Sequence, residues 1–118
     1  MKSWYIDAQK QRTTLTFDFN EEAVISAGLT TDELLADMRR YAQECEIDEI
    51  AYGVFEKKGR DAMAMLIGYA VRKAKAEPDF VNYLNSWIAD VDGNIEDCKV
   101  SIEEIRNKQN ALHKKSNV

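Results

Sequence analysis

The sequence predicts an α+β fold: a small antiparallel three-stranded sheet packed against helices, closed by a C-terminal helical hairpin or one long helix. Three observations predict it. Apolar and polar residues alternate in "TTLTFDF", a Thr-x-x-Glu capping signal opens an amphipathic segment at Thr30, and the last third of the chain repeats apolar residues at steps of three and four. At 118 residues, 45% hydrophobic and 31% charged, the chain suits one domain that holds a core without staples. That domain is expected over 1–113, with a disordered basic tail at 114–118.

The strands are expected at "SWYID" (3–7), at "TTLTFDF" (13–19) and within "EIAYGVFEKKG" (49–59). In the second, Leu15, Phe17 and Phe19 share a face, and the polar link "AQKQR" suggests that the first two form a hairpin. In the third, Ile50, Tyr52 and Val54 share a face. Among the helices, "NEEAVISAG" reads as a short turn ended by Gly28, and Thr30 with Glu33 caps a helix carrying Leu34, Leu35, Met38, Tyr41 and Ala42. From 60 to 77 a helix is apolar on most sides, with Ala64 and Gly68 leaving a shallow spot where another backbone could approach. Pro78 stops it, since proline lacks an N–H and disfavours helical geometry in the residue before it. Beyond it, Phe80, Leu84, Trp87 and Val91, then Ile95, Cys98, Ile102, Ile105 and Leu112, read as two helical stripes that slip at "DVDGN".

"DVDGN" is also the one stretch that resembles metal chemistry. With Asp90 first, Asp92 and Asn94 fit a calcium loop, but Ile95 holds the glycine position and Ser101 the closing glutamate position. The expected reading is a turn between antiparallel helices, with Gly93 past one helix end and Asn94 capping the next. No metal or other cofactor is expected. His113, the only histidine, lies in the polar tail, and Cys45 and Cys98, far apart and in no CxxC pair, read as buried thiols. No secretory signal opens the chain, and its longest uncharged run, 62–71, is half of what a bilayer crossing needs, so a cytoplasmic protein without a membrane partner is expected.

The net charge of −5 is segregated. Residues 18–49 hold ten acids and two bases, and 79–104 hold seven acids and one base. With no catalytic constellation, the expected function is a non-enzymatic protein–protein interaction module: a small acidic inhibitor or adaptor that mimics DNA toward a basic, nucleic-acid-handling protein. Phages and mobile elements encode inhibitors of this kind. The acids expected to carry it are Asp32, Glu33, Asp37, Asp90, Asp92, Glu96 and Asp97, and the apolar helix surface suggests a homodimer.

Two alternatives stand beside it. A DNA-binding regulator would use a helix-turn-helix over 21–40 with Arg39, Arg40, Lys57, Lys58 and Arg60. Its second helix would point Asp32 and Glu33 at phosphate, so direct nucleic-acid binding is not expected. A metal-dependent phosphohydrolase would draw on the pairs Glu46/Glu49, Asp90/Asn94 and Glu103/Glu104, which are scattered.

Overall fold

The computed structural model describes the backbone of residues 12–116 and the side chains up to 108 except that of 105. The strand expected at 3–7 lies outside them. β1 (Arg12–Phe19) keeps the predicted alternation: Thr13, Leu15, Phe17 and Phe19 are buried while Thr14, Thr16 and Asp18 face away. A β-strand places successive side chains on opposite faces, so this pattern commits β1 to one buried face.

β1 is the middle of the sheet. Its two edges pair antiparallel with β3 (Val54–Lys58) and β4 (Leu84–Val91). With β2 (Asp48–Ala51) and β5 (Asn94–Asp97) outside these, the sheet is antiparallel with five strands in the order β2-β3-β1-β4-β5. The expected three-stranded sheet is therefore corrected, and for two separate reasons.

The first is that "EIAYGVFEKKG" folds back on itself. Gly53 takes a φ of +72°, and a Cβ there would stand 3.1 Å from the Phe17 carbonyl oxygen, so only glycine makes this turn without strain. The reversal changes which residues face inward: Phe55 is fully buried, while Ile50 and Tyr52 are 55% and 57% exposed.

The second lies in the last third of the chain, where the expected helical hairpin is a β-hairpin followed by one helix. After a 3-10 helix (Pro78–Tyr83), β4 and β5 join through Asp92 and Gly93, with φ of +51° and +91°. Positive φ at both central residues is the type I′ turn, whose twist matches paired strands and for which Asp-Gly is a preferred sequence. Asn94 pairs with Val91 and does not cap a helix. The step of three from Leu84 to Trp87 imitated a helix because the β1–β4 register shifts there, Asp18 facing Ser86 and Phe19 facing Leu84. A bulge adds one residue to a strand and converts a period of two into a local spacing of three.

The remaining helices follow the sequence reading. α1 (Glu21–Ser26) starts at Asn20, whose side chain accepts the Ala23 N–H, and Gly28 follows it with a φ of +74°. α2 (Thr31–Glu44) is capped as expected, with the Thr30 hydroxyl accepting the Glu33 N–H at 3.1 Å. α3 (Ala62–Ala76) ends just before Pro78, and α4 (Cys98–Ser116) follows β5 directly. His113 lies on α4, its side chain outside those described.

The core fills the space between the sheet and these helices. Phe17 sits at its centre, with its ring 5.1 Å from Trp87 and edge-on to Phe55 and Phe80 at 6.0 and 6.1 Å. Leu15, Leu35, Phe55, Leu66 and Trp87 are completely buried around it. Among the described residues no helix is long and apolar enough to cross a membrane.

Candidate functional site

The seven acids singled out in the sequence divide into two groups. Asp32, Glu33 and Asp37 lie on α2, which packs beside β2, whereas Asp90, Asp92, Glu96 and Asp97 lie on the β4–β5 hairpin. β2 and β5 are opposite edges of the sheet, four strand intervals or roughly 19 Å apart. The fold does not bring the seven into one surface.

On α2 Asp32 and Asp37 meet cations of their own chain, whereas Glu33 is exposed and lies in no ion pair among the described residues. The Arg39 guanidinium donates to both oxygens of Glu49 at 2.9 and 3.1 Å and to Asp32 at 3.0 Å, and it lies over the Tyr52 ring at 5.3 Å. Tyr52 donates its hydroxyl to Asp32 at 2.8 Å, and Glu49 also accepts the Gly53 N–H at 3.0 Å. These contacts clasp α2 to the β2–β3 turn. The Tyr52 and Arg39 hydrogen bonds hold Asp32 below the usual carboxylate range, the Arg39 contact lowers Glu49 as well, and both acids hold the guanidinium more firmly protonated.

Asp37 belongs to a second network. It accepts from Arg40 at 2.8 Å and from the Tyr69 hydroxyl at 3.1 Å, and lies 3.5 Å from the Lys73 ammonium. Lys73 is only 8% exposed, pairs with Glu77 as well, and sits 4.8 Å above the centre of the Phe80 ring. Partial burial pushes the Asp37 carboxyl up, but the Tyr69 hydrogen bond and the two cations outweigh it and the net shift is downward. The same network pushes the Tyr69 hydroxyl far up, through burial first and the Asp37 charge second. A groove of about 260 Å³ opens beside it, where Asp37, Glu44 and Glu77 are matched by Arg40, Arg72 and Lys73. Three acids do surround a depression, and three cations balance them.

The hairpin group is built differently. Asp90 accepts the Gly93 N–H at 2.8 Å across the turn, and Asp92 accepts the Arg12 N–H at 3.0 Å while its own N–H donates to the Arg12 carbonyl at 3.1 Å. Asp97 accepts the N–H groups of Lys99 at 3.0 Å, in the first turn of α4, and of Trp87 at 3.3 Å. Glu96 accepts the Ser101 hydroxyl at 3.0 Å. Every partner of these four carboxylates is thus neutral, and among the described residues none of the four lies in an ion pair. On the same hairpin Ile95 is 70% exposed and stands opposite Asp90, on the face that also carries Asp97, whereas Glu96 stands opposite Ala89 on the other face; among the described residues β5 is an edge strand.

No family model, curated protein or solved structure matches this sequence.

The cations proposed for DNA contact are drawn inward to differing degrees. Arg39 and Arg40 are held by Glu49, Asp32 and Asp37, and Lys57 donates to the carbonyls of Cys45 and Glu46 just past the end of α2, at 3.0 and 3.4 Å. Of the expected buried thiols, Cys98 is buried and pushed up to about 11 by that burial, aided by the charges of Glu96 and Asp97, while Cys45 is only half-buried. Among the described residues no three metal-ligating side chains converge into a metal site. The Arg39–Glu49–Tyr52 clasp escaped the sequence reading, since its members are ten and three positions apart and meet only once β2 and β3 fold back. The Asp92-Gly93 pair would have announced the hairpin.

Proposed function

We propose that this chain is a non-enzymatic, cytoplasmic interaction protein that engages a basic surface of another protein, a nucleic-acid-handling one, through its β4–β5 hairpin. It is of the kind made by phages and mobile elements to inhibit or adapt a host protein. The observation that carries this reading is the contrast in neutralisation: Asp90, Asp92, Glu96 and Asp97 have neutral partners, whereas Asp32 and Asp37 are matched by Arg39, Arg40 and Lys73. Hydrogen bonds from N–H groups and a hydroxyl orient a carboxylate without cancelling its charge, so the hairpin keeps its field for a partner. Electrostatic complementarity of this kind speeds encounter and rejects acidic competitors. Ile95 adds an apolar contact on the face that it shares with Asp90 and Asp97. Self-association belongs to the same proposal, through a surface other than the hairpin.

The experiment is zero-length carbodiimide cross-linking in the producing cell, which joins a carboxylate to a contacting lysine. Cross-links from Glu96, Asp92 or Asp97 to lysines of one partner, lost in the Asn94→Lys/Glu96→Lys variant, are the expected result. Cross-links confined to carboxylates between 21 and 49, or unchanged in that variant, would overturn the assignment to the hairpin.

A further inference from the structure

The outward side of α3 carries a seam with no role in the fold. Asp61, Ala64, Gly68, Val71 and Lys75 follow one another at steps of three, four, three and four, the spacing that keeps residues on one straight side of a helix. All five are exposed or half-exposed, Val71 at 49%, with Met63 at 46% and the half-buried Ile67 flanking them. A Cβ built on Gly68 would meet nothing within 4 Å, so none of the described residues covers the seam's midpoint. Glycine inside a helix costs about 1 kcal/mol against alanine, and among the described residues no contact accounts for it.

The charges at the two ends say what covers it. Asp61 precedes the first residue of α3 but makes no side-chain capping hydrogen bond, and among the described residues neither Asp61 nor Lys75 has an ion-pair partner. They stand seven positions to either side of Gly68. We propose that α3 packs antiparallel against α3 of a second copy, on a two-fold axis at Gly68. A two-fold axis makes each contact occur twice, so Asp61 of each copy meets Lys75 of the other at both ends. Glycine faces glycine at the axis, where the backbones approach closely, and the small Ala64 stands opposite the larger Val71. A parallel pairing would set Asp61 against Asp61 and Lys75 against Lys75. A partner of another kind would have no reason to match the symmetry of the seam about its glycine.

The seam is about four helical turns long, less than a standard interface with its roughly 800 Å² per partner, so the dimer is a weak one. Sedimentation equilibrium from micromolar to millimolar concentration on the full chain reads it. Asp61→Lys and Lys75→Asp are each expected to weaken the dimer about tenfold, because each replaces two exposed attractive pairs by two repulsive ones. Combined in one chain they restore it. A monomer at every concentration overturns the proposal, and so does a dimer that the single reversals leave intact or that the double reversal fails to rescue. Gly68→Cys gives an independent reading, since its thiols meet on the axis. A disulfide-linked dimer is expected on mild oxidation, and failure to form one while the unmodified chain still dimerises removes the axis from Gly68. Because the hairpin is untouched by these changes, loss of dimerisation and loss of hairpin cross-links are separately visible.

Discussion

On α2, Asp32 and Asp37 each meet a cation of their own chain, whereas on the β4–β5 hairpin Asp90, Asp92, Glu96 and Asp97 meet only backbone N–H groups and one hydroxyl. Both segments are rich in acids, so sequence composition makes them look alike. The difference teaches that an acid count is not a surface potential. A carboxylate within 3 Å of a guanidinium projects a dipole that fades within the Debye length of about 8 Å, while one held by N–H groups projects nearly its whole charge. Asp32 and Asp37 tie α2 to its neighbours, whereas the hairpin acids hold the turn and the start of α4 through neutral groups.

The comparison breaks most visibly at Asp37. Replacing it by alanine leaves the Tyr69 hydroxyl without its acceptor and the almost buried Lys73 with Glu77 alone. A loss of about 3 kcal/mol in urea unfolding is expected, as for removing one member of a hydrogen-bonded charge network. Arg39→Met comes next: it releases Asp32 and Glu49 together and opens the clasp on the β2–β3 turn, at about 2 kcal/mol on the same measurement. Charge changes on the hairpin should be far smaller. Glu96→Lys is expected to shift unfolding by no more than about 0.5 kcal/mol, since Glu96 is exposed and its one partner is a surface serine. A loss above about 2 kcal/mol there would remove the distinction between the two groups.

Acid titration sharpens the same contrast. Asp32, Asp37 and Glu49 have lowered pKa values in the folded protein, so the stability they contribute is fully present above the ordinary carboxylate range. It is lost as pH falls through the lower folded values, because the unfolded state then binds protons that the folded state resists. Circular dichroism from about pH 6 to pH 2 should therefore show a steep acid limb in the parent chain and a shallower one in Arg39→Met, where the hydrogen bonds that lower Asp32 and Glu49 are weakened or gone.

The parts of the fold that were legible in the sequence are those in which local chemistry decides. The alternation in β1, the Thr30 cap, Gly28 and Pro78 each act within a few residues and read as they fold. The last third misled because a bulge before Trp87 broke the strand period at the place where it would have been read, and the residue steps that remained suited a helix. The turn chemistry at Asp92-Gly93 outweighed that periodicity, since two successive positive φ angles fit a hairpin and not a helix. At the candidate site the sequence identified the acids but not their neutralisation, because Arg39 reaches Glu49, and Lys73 reaches Asp37, only across tertiary contacts.

The most direct measurement is a ¹⁵N NMR titration of the full chain with a short oligolysine peptide at low salt. The account predicts amide shifts concentrated at residues 90–97 that disappear in Asn94→Lys/Glu96→Lys and shrink as salt is raised. Shifts centred on α2, or no difference between the parent and that variant, would contradict it.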